Sequence, residues 1–121
     1  MDTSNDRRFV NSTRGTVLAE RALIAASFFL RLRGLLLRPA LAAGQGLYLE
    51  RCNCIHMFGM SYPIDAVFID GEGRVVGLVE SIKPGAVSPL FRGACGCLEL
   101  PAGTIRGSCT ELGDLVESLV I

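Results

Sequence analysis

From about residue 47 onward, short apolar runs alternate with turn-forming residues, at lengths that suit strands rather than helices. Ile64–Ile69 is dense in β-formers, Asp70-Gly71-Glu72-Gly73 follows as a turn, and Arg74–Glu80 reads as the return strand. This is the strongest hairpin signal in the chain. Leu47–Met57 reads as extended. Ala94–Leu100 predicts another strand, closed by Pro101-Ala102-Gly103, and Gly113-Asp114 turns into a last strand over Leu115–Val120. Lys83-Pro84-Gly85 and Ser88-Pro89 mark a loop.

Upstream the pattern differs. Residues 1–13 are polar and predict a flexible terminus. Thr16–Ala19 predicts a short strand. Glu20–Leu37 carries Leu23, Ala26, Phe28, Leu30 and Leu35 at helical spacing, weakened by Gly34 and stopped by Pro39. Ala42–Gly46 reads as a loop. Six to eight short strands and one N-terminal helix predict a mainly β domain, α+β at the margin, of sandwich or barrel type over residues 14–121. The helix would cover an open face or end.

Composition narrows the function classes. The chain has 121 residues, half of them hydrophobic, and twelve Lys plus Arg balance twelve Asp plus Glu. No net field draws it to nucleic acid or to an anionic membrane. The best apolar run, Ala22–Leu30, is too short to span a bilayer and is followed by Arg31 and Arg33. The start is polar and mixed in charge, unlike a signal peptide. These features predict a cytoplasmic protein with no transmembrane segment. The five cysteines are then expected to be reduced.

If the strands run as read, Cys52, Cys54 and His56 point to one face, and Cys95, Cys97 and Glu99 share a face in the same way. Were those strands neighbours, thiols, imidazole and carboxylate would converge in a donor set suited to zinc or copper, with Met60 able to add a thioether. The plainer reading makes the cysteines small buried hydrophobes. A disulfide between the two strands is a third reading, and Cys109 stands alone as a surface thiol. Asp65 and Glu99 each sit in an apolar strand. Each either faces solvent, anchors a loop by accepting backbone N–H bonds, or faces a pocket. There is no P-loop, dinucleotide fingerprint or nucleophile elbow, and no catalytic residue is assigned.

Cys52-Asn53-Cys54-Ile55-His56-Met57-Phe58-Gly59-Met60 followed by Pro63-Ile64-Asp65-Ala66-Val67-Phe68-Ile69-Asp70 resembles the central motif of domain-of-unknown-function family 192. Arg33-Gly34-Leu35-Leu36, Gly73-Arg74-Val75-Val76, Leu98-Glu99-Leu100-Pro101-Ala102-Gly103 and Gly113-Asp114 fit the same family in order. The resemblance covers roughly residues 15–118. It implies a small, mainly β domain of sandwich or barrel type with a short helical part near the N-terminus. Many members carry an export signal and a tryptophan where this chain has His56. Cys54, Cys95 and Cys97 lie outside the family pattern, which leaves Cys52, His56, Met60, Asp65 and Glu99 as the candidate shared site. The resemblance carries no reaction with it.

Two functions are therefore expected. One is a non-enzymatic module that binds a small ligand or a protein through the surface around His56, Met60 and Asp65, where Met57–Pro63 is unusually apolar for a loop. The other is a thiol or metal site, zinc or copper, built on Cys52 and His56. The sequence leaves partner identity and oligomeric state open.

Overall fold

The computed structural model describes residues 5–25 and 40–121. These hold strands β1 (Arg7–Asn11), β2 (Thr16–Ala25), β3 (Gln45–Glu50), β4 (Ile64–Ile69), β5 (Val75–Ile82), β6 (Gly96–Pro101) and β7 (Val116–Val120). One short helix, α1 (Thr104–Gly107), joins β6 to β7. All seven strands form one sheet in the order β5-β4-β6-β3-β2-β1-β7. Every pairing is antiparallel except β2 with β3.

The sheet curls until its two edges touch. Val116 N–H donates to Gly73 O at 2.8 Å, Val75 N–H to Asp114 O at 2.9 Å and Gly113 N–H to Val75 O at 2.9 Å. The start of β5 is thereby stitched to the start of β7, which makes the sheet a curled half-barrel. Gly73 permits this seam. It holds φ at 87°, and a Cβ there would lie 2.7 Å from Val116 O.

Side-chain alternation gives the sheet two cores. Phe9, Leu18, Val67, Leu98, Leu100 and Val116 fill the concave side, with Ile105 of α1 closing its lower end. Leu47, Leu49, Ile64, Phe68, Ile82 and Cys97 form the other core, on the convex face. Two loops, residues 51–63 and 83–94, cover that face and bury Cys52, Ile55 and Met57 against it, with Met60, Tyr62 and Phe91 partly buried. β4 is buried on both faces, so its sequence reads as an unbroken apolar run interrupted only by Asp65.

The structure corrects four expectations. Residues 7–11, read as part of a polar terminus, form β1, held by β2 on one side and β7 on the other. The predicted N-terminal helix is not found where it can be tested: residues 20–25 continue β2, and their parallel pairing with β3 overrides the helical spacing. The rest of that helix, residues 26–37, lies outside the described residues. The extended run from Leu47 stops at Glu50, because Arg51 adopts φ 54° and breaks the ladder. With the ladder broken, Cys52 and Cys54 no longer alternate along a strand. Cys52 and Cys97 are buried, whereas Cys54 and Cys95 are exposed.

Candidate functional site

The lower end of the half-barrel is sealed by polar work as well as by Ile105. Asp65 is fully buried, and its carboxylate accepts backbone N–H bonds from Ser81 at 2.8 Å, Gly103 at 3.1 Å and Ile105 at 2.8 Å. It anchors the loop after β6 and has no face left for a ligand. Nearby, Asp114 accepts from Asn11 Nδ2 at 3.0 Å, from Arg14 Nε at 2.9 Å and from the Glu111 N–H at 2.9 Å. The Arg14 guanidinium, followed by these hydrogen bonds, holds the Asp114 carboxyl well below the usual carboxylate range.

Among the described residues, the upper end is open. There a cleft of about 280 Å³ is walled by Phe9, Ile24, Ile69 and Val116 and rimmed by Arg7, Tyr48, Glu50, Asp70 and Ser118. The sequence places these residues by simple alternation. Arg7 and Phe9 are two apart on β1, Tyr48 and Glu50 two apart on β3, and Val116 and Ser118 two apart on β7. Arg7 is fixed at the rim by hydrogen bonds from Nε to Ser118 Oγ and from Nη2 to Ser118 O, both 3.0 Å. Phe9 and Tyr48 lie with ring centroids 5.1 Å apart. The phenol of Tyr48 occupies the space that a side chain at position 96 would need, so Gly96 is required by close approach. Burial, and then the Glu50 carboxylate, push the Tyr48 phenol up to about 12.

The residues singled out in the sequence end up elsewhere, and apart. Cys52 is buried beneath the loop layer, where its thiol donates to Cys54 O at 3.2 Å and its side chain is hydrogen-bonded to Cys97. Glu99 lies beside them, 6% exposed; burial, and then the neighbouring Cys52, push its carboxyl up to about 8. Burial also pushes the Cys97 thiol up. The structure therefore brings Cys52, Cys97 and Glu99 together and leaves His56 out. His56 is exposed, stacked on Phe58 at 4.7 Å, with Nδ1 accepting the Phe58 N–H at 3.3 Å. Met60 is half-buried against the convex core. Among the described residues, no three His, Cys, Asp or Glu side chains stand close enough to hold a metal ion. Among those residues, too, no helix is long and apolar enough to cross a membrane.

The cleft was missed in the sequence because, although Ile69, Asp70 and Gly73 lie in family-like segments, the remaining lining residues belong to no motif. Their only signal is the shared parity of polar positions near strand ends, which surface residues also show.

The convex face carries one further feature. The backbone bridge between His56 and Val87 joins its two covering loops, and Phe58 and Val87 stand out from them, 56% and 61% exposed.

Comparison with known proteins agrees with the fold and names no activity. The chain is 36% identical over 112 residues to a UPF0127 protein of Thermococcus sibiricus, covering 89% of this chain and 72% of the relative. It is 32% identical over 111 residues to the UPF0127 protein TK1120 of Thermococcus kodakarensis, covering 88% and 70%. The solved structure of a "putative transcription regulator" from Sinorhizobium meliloti superposes with a TM-score of 0.83 at 22% identity, over 98% of this chain and 97% of that one. A protein of unknown function from Novosphingobium aromaticivorans superposes with a TM-score of 0.79 at 22% identity, over 93% and 83%. At that identity the two structures speak for the fold alone. Residues 9–118 match the model of DUF192, described as Uncharacterized ACR, and the chain is a member of that family.

Proposed function

We propose that this domain is a non-enzymatic binding module whose ligand sits in the cleft at the upper end of the half-barrel. One observation carries the reading: among the described residues, the curled sheet is sealed at its lower end by Ile105 and the Asp65 hydrogen bonds, and open at the other. Mouths of β-barrels are common ligand sites, because rigid strands hold an apolar wall and a few polar groups in fixed positions. No nucleophile–base pair lies among the residues that line the cleft, which favours binding over catalysis. The test is a fragment screen by two-dimensional amide NMR on the whole chain. Hits should cluster on Phe9, Tyr48, Ile69 and Val116. Hits that avoid those residues would overturn the reading.

A second reading, docking of a protein partner around His56, is favoured by the Phe58 and Val87 side chains on the bridged loops. Neighbouring exposed apolar residues of this kind mark interaction surfaces. Asp65 plays no part in it, being buried on three backbone donors. The reading is tested by crosslinking in the source cells. A crosslinked partner should be lost with Phe58→Asp and retained with Glu50→Gln. The thiol or metal alternative on Cys52 and His56 draws no support from the geometry, since one is buried and the other exposed.

A further inference from the structure

We propose that the cleft takes a small organic cation, a primary amine or guanidinium on an apolar or aromatic body, with Glu50 and Asp70 facing the charge and Phe9 and Tyr48 facing the body. The inference rests on the reading of this cleft as a ligand site. The charge balance of the lining supports it first. Two carboxylates and one guanidinium surround the cleft, and the guanidinium is already engaged with Ser118 through Nε and Nη2. Among the described residues, every ion pair lies elsewhere, so none of those residues forms an ion pair with Glu50 or Asp70. Asp70 Oδ1 accepts the N–H groups of Glu72 and Arg74, both at 2.9 Å, which fixes the carboxylate at the rim. An anionic ligand would meet two carboxylates against one arginine.

The walls then select the kind of cation. Ile24, Ile69 and Val116 offer nothing to a hydrated metal ion, and metal ligands are not grouped among the described residues. They do suit an apolar body. The Phe9 and Tyr48 rings, centroids 5.1 Å apart, add aromatic surface for that body. The high pKa of Tyr48 keeps its phenol neutral, so it adds no third negative charge. The volume lies near the lower bound of about 300 Å³ for small-molecule pockets, which fits a ligand of monomer size.

The experiment compares three matched probes on the whole chain by amide NMR: phenethylamine, the neutral 2-phenylethanol and the anionic 3-phenylpropionate. Phenethylamine should shift the Phe9, Tyr48, Ile69 and Val116 resonances and saturate in the millimolar range. Glu50→Gln should weaken it about tenfold with the rest of the spectrum unchanged. If the alcohol or the propionate binds the same residues as tightly, the charge assignment is overturned while the site stands. If none of the three moves these resonances up to about 10 mM, the cation inference is overturned, and the site itself is judged by the fragment screen.

Discussion

The carboxylate of Asp65 accepts the backbone N–H of Ile105 at 2.8 Å, across forty positions of sequence. That bond, with those from Gly103 and Ser81, ties β4 to the loop and helix that close the lower end of the half-barrel. Asp65→Ala would leave three backbone donors without their acceptor, two of them in the plug. Asp65→Ala is expected to destabilise the fold by about 3 kcal/mol, and Asp65→Asn by less. Urea unfolding of the two variants measures both. A loss within a few tenths of a kcal/mol for Asp65→Ala would contradict the anchoring role.

Two carboxylates give stability opposite slopes with pH. Asp114 has a depressed folded pKa, so its contribution is full above the unfolded carboxylate range and fades as pH falls below it. Glu99 has a folded pKa raised to about 8, so it costs nothing below its unfolded value of 4.5. Its cost grows as pH rises from there toward 8. Thermal unfolding from pH 3 to 9 should show Asp114→Asn flattening the acid limb and Glu99→Gln flattening the alkaline limb. A Glu99→Gln protein that loses stability in parallel with wild type between pH 5 and 8 would contradict the assignment.

The thiols divide by burial. Cys54, Cys95 and Cys109 are exposed, and Cys52 and Cys97 are buried. Alkylation of the folded protein near pH 8 should add three labels quickly, and the last two only in denaturant. Intact mass with time counts them. Fast labelling of Cys97 in the folded state would show that the loop layer opens readily.

Gly96 and Tyr48 are expected to behave as a coupled pair. Gly96→Ala should cost about 1–3 kcal/mol, because the added methyl must displace the Tyr48 phenol from the cleft. Tyr48→Ala should remove most of that cost. The double variant, measured by chemical unfolding, separates this displacement from the backbone effect of losing glycine.

The β4–β5 hairpin was readable from sequence because its signals agree. Ile64–Ile69 is predicted and observed with the same bounds, since β-formers, the Asp70-Gly71-Glu72-Gly73 turn and burial all point one way. The segment Glu20–Ala25 was misread because its helical spacing competes with a parallel pairing to β3, invisible until the partner is known. The expected convergence was met only in part: Cys52, Cys97 and Glu99 meet, whereas Cys54 and His56 lie on the exposed loop. Arg51 enters the left-handed region, which arginine gives no sign of doing, and it ends the strand before Cys52. One of the two loop-anchoring options for Asp65 and Glu99 was realised, by Asp65. The cleft was out of reach because it forms only when β1, β2, β3, β4 and β7 meet, and nothing local announces that meeting.

The seam between Gly73 and Val116 also sets an order of events. β1 pairs with β7 along its whole length, Arg7 opposite Val120, so the two partners are separated by nearly all of the described chain. During synthesis the β1–β2 and β4–β5 hairpins can form early, but the concave core stays wet until residues 113–116 arrive to stitch the edges. Closing so long a loop is slow, in the millisecond-to-second class of β topologies with distant pairings. For that interval the free side of β1 is an unpaired strand edge, and protection of the nascent chain matters most there.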